Sequence, residues 1–447
     1  MKKMTEGNVT KNIFFFTIPI FLGNIFQQMY NTADAVIVGR FSGKEALAAV
    51  GTAGPIMNIL IFFVVGFSLG SAILMAEFYG AEDIEKLKKE IATTIKAGAV
   101  FIFLLSAVAL FSVKYILILM NTPIEIMEMA EGYLRIIIIG LIFSFLYNIL
   151  SAEMRAVGDS KTPLGILVIA VVLNIGLDIY FIKNLGMGVK GAAYATVISQ
   201  IVAVVISLLN IYFRMPVLRL TLKEFVIDLT LLKKTMSYSL SYAVQQTIIF
   251  TGAVFVQGAV NPLGIDSIAA FNSGSRIDGF ILTPGDSMGA ALTTFISQNR
   301  GAGKDERIFK GFKSALTMSL LYCVATAILI FIFSGSIMKI FIESSETEAI
   351  FLGRTYLKTI AFFYILTALC NTLQGFFRGF GRMDVTLIAT FIQIPIRVVL
   401  SYMLTKYMGI SGVAVGMGIG WIFMASYEGY LYMRYRNRRR ELNGVHI

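Results

Sequence analysis

The sequence holds one histidine, two cysteines, one tryptophan and eight prolines in 447 residues, and only 15% of it is charged. Each shortage removes a class of function. The single histidine, His446, is a lone terminal residue, so no intramembrane histidine is available for a metal centre or for acid–base catalysis. Cys323 and Cys370 both fall inside apolar stretches, as small packing residues do and disulfide or metal pairs do not. The charged fraction lies far below the roughly 25% of an ordinary soluble domain. Against it stand 57% hydrophobic residues and a mean hydropathy of +0.77. The solvent for most of this chain is lipid.

A bilayer core needs roughly 20 apolar residues per helical span, and such stretches recur along almost the whole length, for example at 100–113, 136–152, 164–182 and 314–333. The roughly ten-residue alternation of a membrane β-barrel is not the pattern here. The expected fold class is therefore all-α, a polytopic membrane protein of twelve transmembrane helices. The expected spans are 13–37, 47–76, 92–113, 132–152, 163–183 and 190–213, then 236–258, 267–297, 312–334, 352–375, 385–406 and 411–434. The N-terminal residues lack the small-residue cleavage site of a signal peptide, so the first apolar stretch is expected to remain as a span.

The net charge of +11 has a simpler cause than nucleic-acid binding. With a cytoplasmic N-terminus and twelve spans, about 26 of the 38 Lys and Arg fall on the cytoplasmic side and about 10 outside. Both termini are thus expected in the cytoplasm, with the protein in the plasma membrane. The longest linker, 214–234, carries Arg214, Arg219, Lys223, Lys233 and Lys234 and divides the chain at its centre. This gives an N-terminal lobe at 1–213, a linker at 214–234, a C-terminal lobe at 235–434 and a basic tail at 435–447. The run 82–96 and the tail read as solvated or lipid-facing charged surface.

The halves are related. An offset of about 221 residues places Ala48-Ala49 on Ala269-Ala270, Gly80-Ala81 on Gly301-Ala302 and Gly191 on Gly412. An offset of about 223 places Arg155 and Gly158 on Arg378 and Gly381. Six spans per half make a parallel repeat, two pseudo-symmetric six-helix lobes with a cleft between them as the natural substrate path.

Ionisable residues within spans are costly and mark function by default. Asp34 on the first span and Asp178 on the fifth are the clearest, each about 8–9 Å below the outer end of its helix. Asn174 shares a helix face with Asp178, and Thr196 enters from the outside on the sixth span to a similar depth. Two carboxylates, an amide and a hydroxyl suit a hard monovalent cation such as Na⁺, and the same carboxylates can bind protons. The alternative is a hydrogen-bonded network that only ties spans one, five and six together. Pro19 is placed to bend the helix that carries Asp34.

At these residues the sequence resembles the multidrug and toxic compound extrusion family. The likeness runs through Pro19 with Asp34-Ala-Val-Ile-Val-Gly-Arg40, the 46–51 segment ending in Gly51, Gly66-x-x-x-Gly70, Gly80-Ala81, Arg155 to Pro163, Asn174-x-x-x-Asp178, Gly188-x-x-Gly191 on to Thr196, and Gln298 to Gly303. It covers essentially the whole chain. The resemblance implies that Asp34, Asn174, Asp178 and Thr196 form the cation site of the N-terminal lobe. The second lobe departs from its twin: the offset sets Asp34 against Phe255, Asn174 against Pro395, Asp178 against Val399 and Thr196 against Met417. The acid that some members carry on the seventh span is absent, with Gln245 and Gln246 the polar residues there. Asp278 and Arg397 lie near the midplane and read either as an interhelical ion pair or as substrate contacts.

The expectation is thus a secondary active exporter that exchanges amphiphilic organic cations for Na⁺ or H⁺, with no organic cofactor and no enzymatic activity. Its partners would be the bilayer and small cationic substrates, not nucleic acid, and it would act as a monomer. Gln27, Met29, Tyr30, Tyr147, Asn148, Gln245 and Asp278 are the candidate substrate contacts. A flippase for lipid-linked sugars is the alternative, although it would call for a strongly cationic cavity where Arg276 and Arg397 are the intramembrane arginines.

Overall fold

The computed structural model describes residues 3–221 and 224–442; Lys223, His446 and the rest of 443–447 lie outside the described residues. Among these, twelve α-helices follow one another: α1 Val9–Gly80, α2 Ile84–Leu119, α3 Ile124–Ala156, α4 Lys161–Asp178, α5 Gly188–Arg214, α6 Leu229–Val260, α7 Ile265–Gly301, α8 Asp305–Met338, α9 Thr347–Ala361, α10 Tyr364–Gly379, α11 Met383–Met408 and α12 Ile410–Leu442. All twelve expected spans are helical.

The match of helices to spans is not one to one. At 72 residues α1 is about 108 Å long, far beyond a bilayer core of roughly 30 Å, so it supplies two spans. They part at Gly43, whose φ of 89° only glycine adopts without strain. The backbone stays helical through Pro19; Gly43, not the proline, is where α1 leaves helical angles. The expected span 352–375 is broken, α9 and α10 meeting at 52°. α7 is long enough to cross but carries Arg276, Asp278 and Asp286, and is the least apolar of the expected spans to be continuous.

The chain forms two compact units. The first gathers residues 18–243 with 297–303; the second gathers 7–17, 244–296 and 304 onward. The first unit therefore keeps the linker and the first half of α6, for reasons the side chains make plain. Lys88 pairs with Glu224 at 2.8 Å, Lys96 donates to the Phe225 carbonyl and lies over its ring, and the Asp228 N–H donates to Thr93 Oγ1 at 2.9 Å. Nearly two turns into α6, Thr235 donates to Glu90 Oε1 at 2.6 Å, and Thr94 donates to the same oxygen at 3.0 Å. The expectation of a solvated surface over 82–96 is corrected here, because Glu90, Thr93 and Thr94 are fully buried beneath the linker and α6.

Close backbone packing secures the same half of α6. A Cβ on Gly66 would stand 2.7 Å from the Ser239 carbonyl oxygen, and one on Gly70 2.6 Å from Ser239 Oγ and 2.9 Å from its backbone nitrogen. The Gly-x-x-x-Gly spacing is thus a seat for a neighbouring helix, as small residues are in lipid. The duplicated Gly-Ala pairs meet in a similar way: Gly80 lies against the Gln298 backbone and Gly301 against Glu77, where Arg300 forms an ion pair with the Glu77 carboxylate.

Candidate functional site

In the first unit, α1, α4 and α5 bring five of the predicted residues together. Asp34 and Tyr30 are one turn apart on α1 and share a face. Asn174 and Asp178 close α4, after which the backbone widens into a π-helical turn over Ile179–Asn184. With its amide set to suit its neighbours, Asn174 donates to Asp178 Oδ2 at 3.0 Å and accepts from the Thr196 N–H of α5 at 3.2 Å. The Tyr30 and Thr196 hydroxyls lie 3.0 Å apart. The Asp34 and Asp178 carboxyls are close neighbours.

Burial makes this closeness consequential. Asn174 and Asp178 are fully buried and Asp34 nearly so, and Oδ1 of each aspartate has no protein partner. Among the described residues neither acid forms an ion pair with Lys or Arg. Two neighbouring buried carboxyls without a basic residue need a proton or a metal cation between them. The donor set of carboxylate and hydroxyl oxygens fits a hard cation, and the same oxygens fit a proton.

Sequence reasoning did not single out one neighbour of the cluster, and it read another residue in a different role. Tyr133 of α3, 3% exposed, is close enough to feel the charges of Asp34 and Asp178. A tyrosine near the end of an expected span reads as an interface anchor, so nothing in the sequence separated it from the ordinary case. Tyr30, read as a substrate contact, shares a hydrogen bond with Thr196.

Most of the remaining candidates are exposed or have other partners. Gln27 and Met29 are exposed on α1, and Asn148 donates to the Ser144 carbonyl of its own helix at 2.8 Å. Tyr147 is partly buried on α3. In the second unit, Gln245 is buried with its amide fully used: its NH₂ donates to Gln374, Thr390 and the Thr386 carbonyl, and its oxygen accepts from Arg378. Gln374 passes the network on to Glu428, a fully buried acid that the sequence reading did not single out. Asp278 accepts from the hydroxyls of Tyr356 at 2.8 Å and Tyr364 at 2.6 Å. It makes no ion pair with Arg397 within 4 Å, so the direct interhelical pair is not formed. Where the repeat sets Phe255 and Val399 against the two acids, both side chains are more than half exposed.

Comparison with known proteins adds the context of the whole chain. Residues 19–180 and 239–403 match the MatE family model. A probable multidrug resistance protein of Bacillus subtilis (strain 168), YpnP, is 30% identical over 442 residues, covering 96% of this chain and 96% of that protein. The probable multidrug resistance protein NorM of Thermotoga maritima is 26% identical over 441 residues, covering 95% and 92%. A crystal structure of MATE in the bent conformation is 25% identical and superposes with a TM-score of 0.92 over 98% of each chain.

Proposed function

This chain belongs to the MatE family, the multidrug and toxic compound extrusion transporters, and on that premise we propose that it exports amphiphilic organic cations in exchange for Na⁺ or H⁺ by alternating access. The coupling ion binds among Asp34, Asp178, Thr196 and Asn174, with Tyr30 beside Thr196. The protein works as a monomer in the plasma membrane with both termini cytoplasmic. What supports this reading is a single observation: two buried carboxyls are close neighbours and, among the described residues, no basic residue is paired to either. As a purely structural device such a pair would be expensive, whereas an ion that enters and leaves gives it a use.

Asn174 acts by orientation. Its NH₂ fixes Asp178 Oδ2, which leaves Oδ1 to the ion, and its oxygen ties the α4 end to the α5 backbone. Occupation by a cation would draw Asp34 of α1 towards α4 and α5; release would free it. The test is efflux of a fluorescent organic cation from proteoliposomes with Na⁺ and pH gradients imposed separately. The gradient that drives efflux names the ion. Asp34→Asn and Asp178→Asn are expected to abolish driven efflux while the protein remains monodisperse. Undiminished transport by both variants would sink the proposal.

A further inference from the structure

A second feature of the first unit lies on its outer surface, away from the acid pair. Between α2 and α3 runs a groove of about 770 Å³, within the size range of small-molecule sites. Its floor and walls are hydrocarbon, with Phe103, Leu110, Phe111, Ile139 and Ile142 among them, and Phe103, Phe111 and Ile139 are each more than 60% exposed. At one end it meets Lys114, Tyr115 and Arg135.

The sequence fixes the depth of that end. The apolar run 100–113 of α2 stops at Lys114, and the apolar run 136–152 of α3 begins just after Arg135. Both cations therefore mark the same hydrocarbon boundary, reached from antiparallel helices, with Tyr115 placed as interface tyrosines are. From Lys114 down to Phe103 is eleven residues, about 16 Å, close to half of a roughly 30 Å core. The groove is apolar over the depth of one leaflet and basic at headgroup level.

The charges at the rim are ordered. Lys114 has no ion-pair partner among the described residues, while Arg135 is held by Glu131 at 2.8 Å through Nε and Nη2. Glu131 and Glu128 follow on the same face of α3 towards the turn. Positive charge at the boundary is thus succeeded outward by negative charge. A phosphate followed by a primary ammonium has the complementary order.

We propose that this groove binds one ethanolamine-headed phospholipid, its phosphate on Lys114 and Arg135, its ammonium towards Glu131 and Glu128, and an acyl chain along Phe103, Phe111 and Ile139. The bound lipid fills a gap between α2 and α3 that no described side chain occupies.

The single tryptophan makes a local reading possible. In the Trp421→Phe background, Val108→Trp puts a fluorophore at the groove's edge, and Leu321→Trp puts one on exposed α8 as a control. Quenching by brominated ethanolamine, glycerol and choline phospholipids then gives relative binding at each place. At position 108 the ethanolamine lipid is expected to exceed the choline lipid by about two- to fivefold, as one exposed charge contact provides. Glu128→Gln should bring that ratio towards one, the value expected at position 321 throughout, whereas Lys114→Gln should weaken the binding of ethanolamine and choline lipids alike at position 108. Equal quenching by all three lipids at 108, a preference there for the glycerol lipid, or indifference to Lys114→Gln overturns the proposal. Native mass spectrometry of the unaltered chain and of Lys114→Gln, counting retained ethanolamine lipid, asks the same question without Trp421→Phe; equal retention overturns it as well.

Discussion

The 3.0 Å contact between Tyr30 and Thr196 separates two roles that a sequence cannot tell apart. If Tyr30 orients the Thr196 hydroxyl for the coupling ion, Tyr30→Phe removes one neutral hydrogen bond at a site closed to bulk water. That bond contributes about 0.5–1.5 kcal/mol, a weakening of roughly 2- to 13-fold in the ion concentration giving half-maximal efflux. Thr196→Val keeps the shape of the side chain and deletes the oxygen, so it loses both the ligand and the reason for Tyr30 to matter. The double variant should then match Thr196→Val alone, with a coupling energy near the whole Tyr30→Phe effect. The assay is ion-driven efflux from proteoliposomes at graded ion and drug concentrations, with thermal stability in detergent recorded for all four proteins. If Tyr30 instead touches the substrate, its phenylalanine variant shifts the drug concentration dependence, leaves the ion dependence alone and adds to Thr196→Val. That outcome would refute the ion-positioning role.

Two further predictions concern the linker side of the first unit. Gly70→Ala sets a methyl 2.6 Å from Ser239 Oγ and 2.9 Å from the Ser239 nitrogen, and should destabilise the protein by about 1–3 kcal/mol, read as a lower melting temperature in detergent; an unchanged melting temperature would mean that α6 is free to move away. The Glu224 carboxyl is pulled down to about 2 by the Lys88 ammonium and by the Thr221 backbone N–H and hydroxyl. Its folded value lies below the unfolded one, so its contribution to holding the linker is present above about pH 4.5 and lost as the pH falls towards 2. Hydrogen exchange at the amides of 224–228 should therefore show constant protection from neutral pH to about 5, once intrinsic rates are divided out, and falling protection below about 4; protection independent of pH across that window would count against the clamp.

The fold was legible because lipid imposes one pattern everywhere: long apolar runs, basic loops and glycines at regular offsets. What escaped the sequence was local. Nothing in the 37–47 region distinguished a loop from a continuous helix broken at one residue, since Gly43 acts through its backbone angle alone. The run 82–96 looked solvated because Lys and Glu dominate it, yet Glu90 faces inward to Thr94 and Thr235, a partner 145 residues away in sequence. The four residues read as a cation site could be found because an unpaired acid in an apolar span stands out. Tyr133 could not, because a span-end tyrosine is common for reasons unrelated to ions.

Asp278 shows where charge alone misleads. Opposite charges on neighbouring spans suggest a pair with Arg397, and had that pair formed, Arg397→Met would strand a buried carboxylate at a cost of about 3–5 kcal/mol. The carboxyl is instead held by two hydroxyls, Tyr364 on Oδ1 and Tyr356 on Oδ2, and the Arg397 guanidinium makes no ion pair with it. The order of costs should therefore be reversed. Tyr364→Phe removes a hydrogen bond to a charged group and is expected to destabilise by about 1.5–3 kcal/mol, while Arg397→Met should cost less than that. Asp278→Asn, which keeps an acceptor for one tyrosine, should fall between them. Thermal melts of the three variants in the same detergent decide the matter, and a melting temperature lower for Arg397→Met than for Tyr364→Phe would restore the ion pair as the device that holds Asp278.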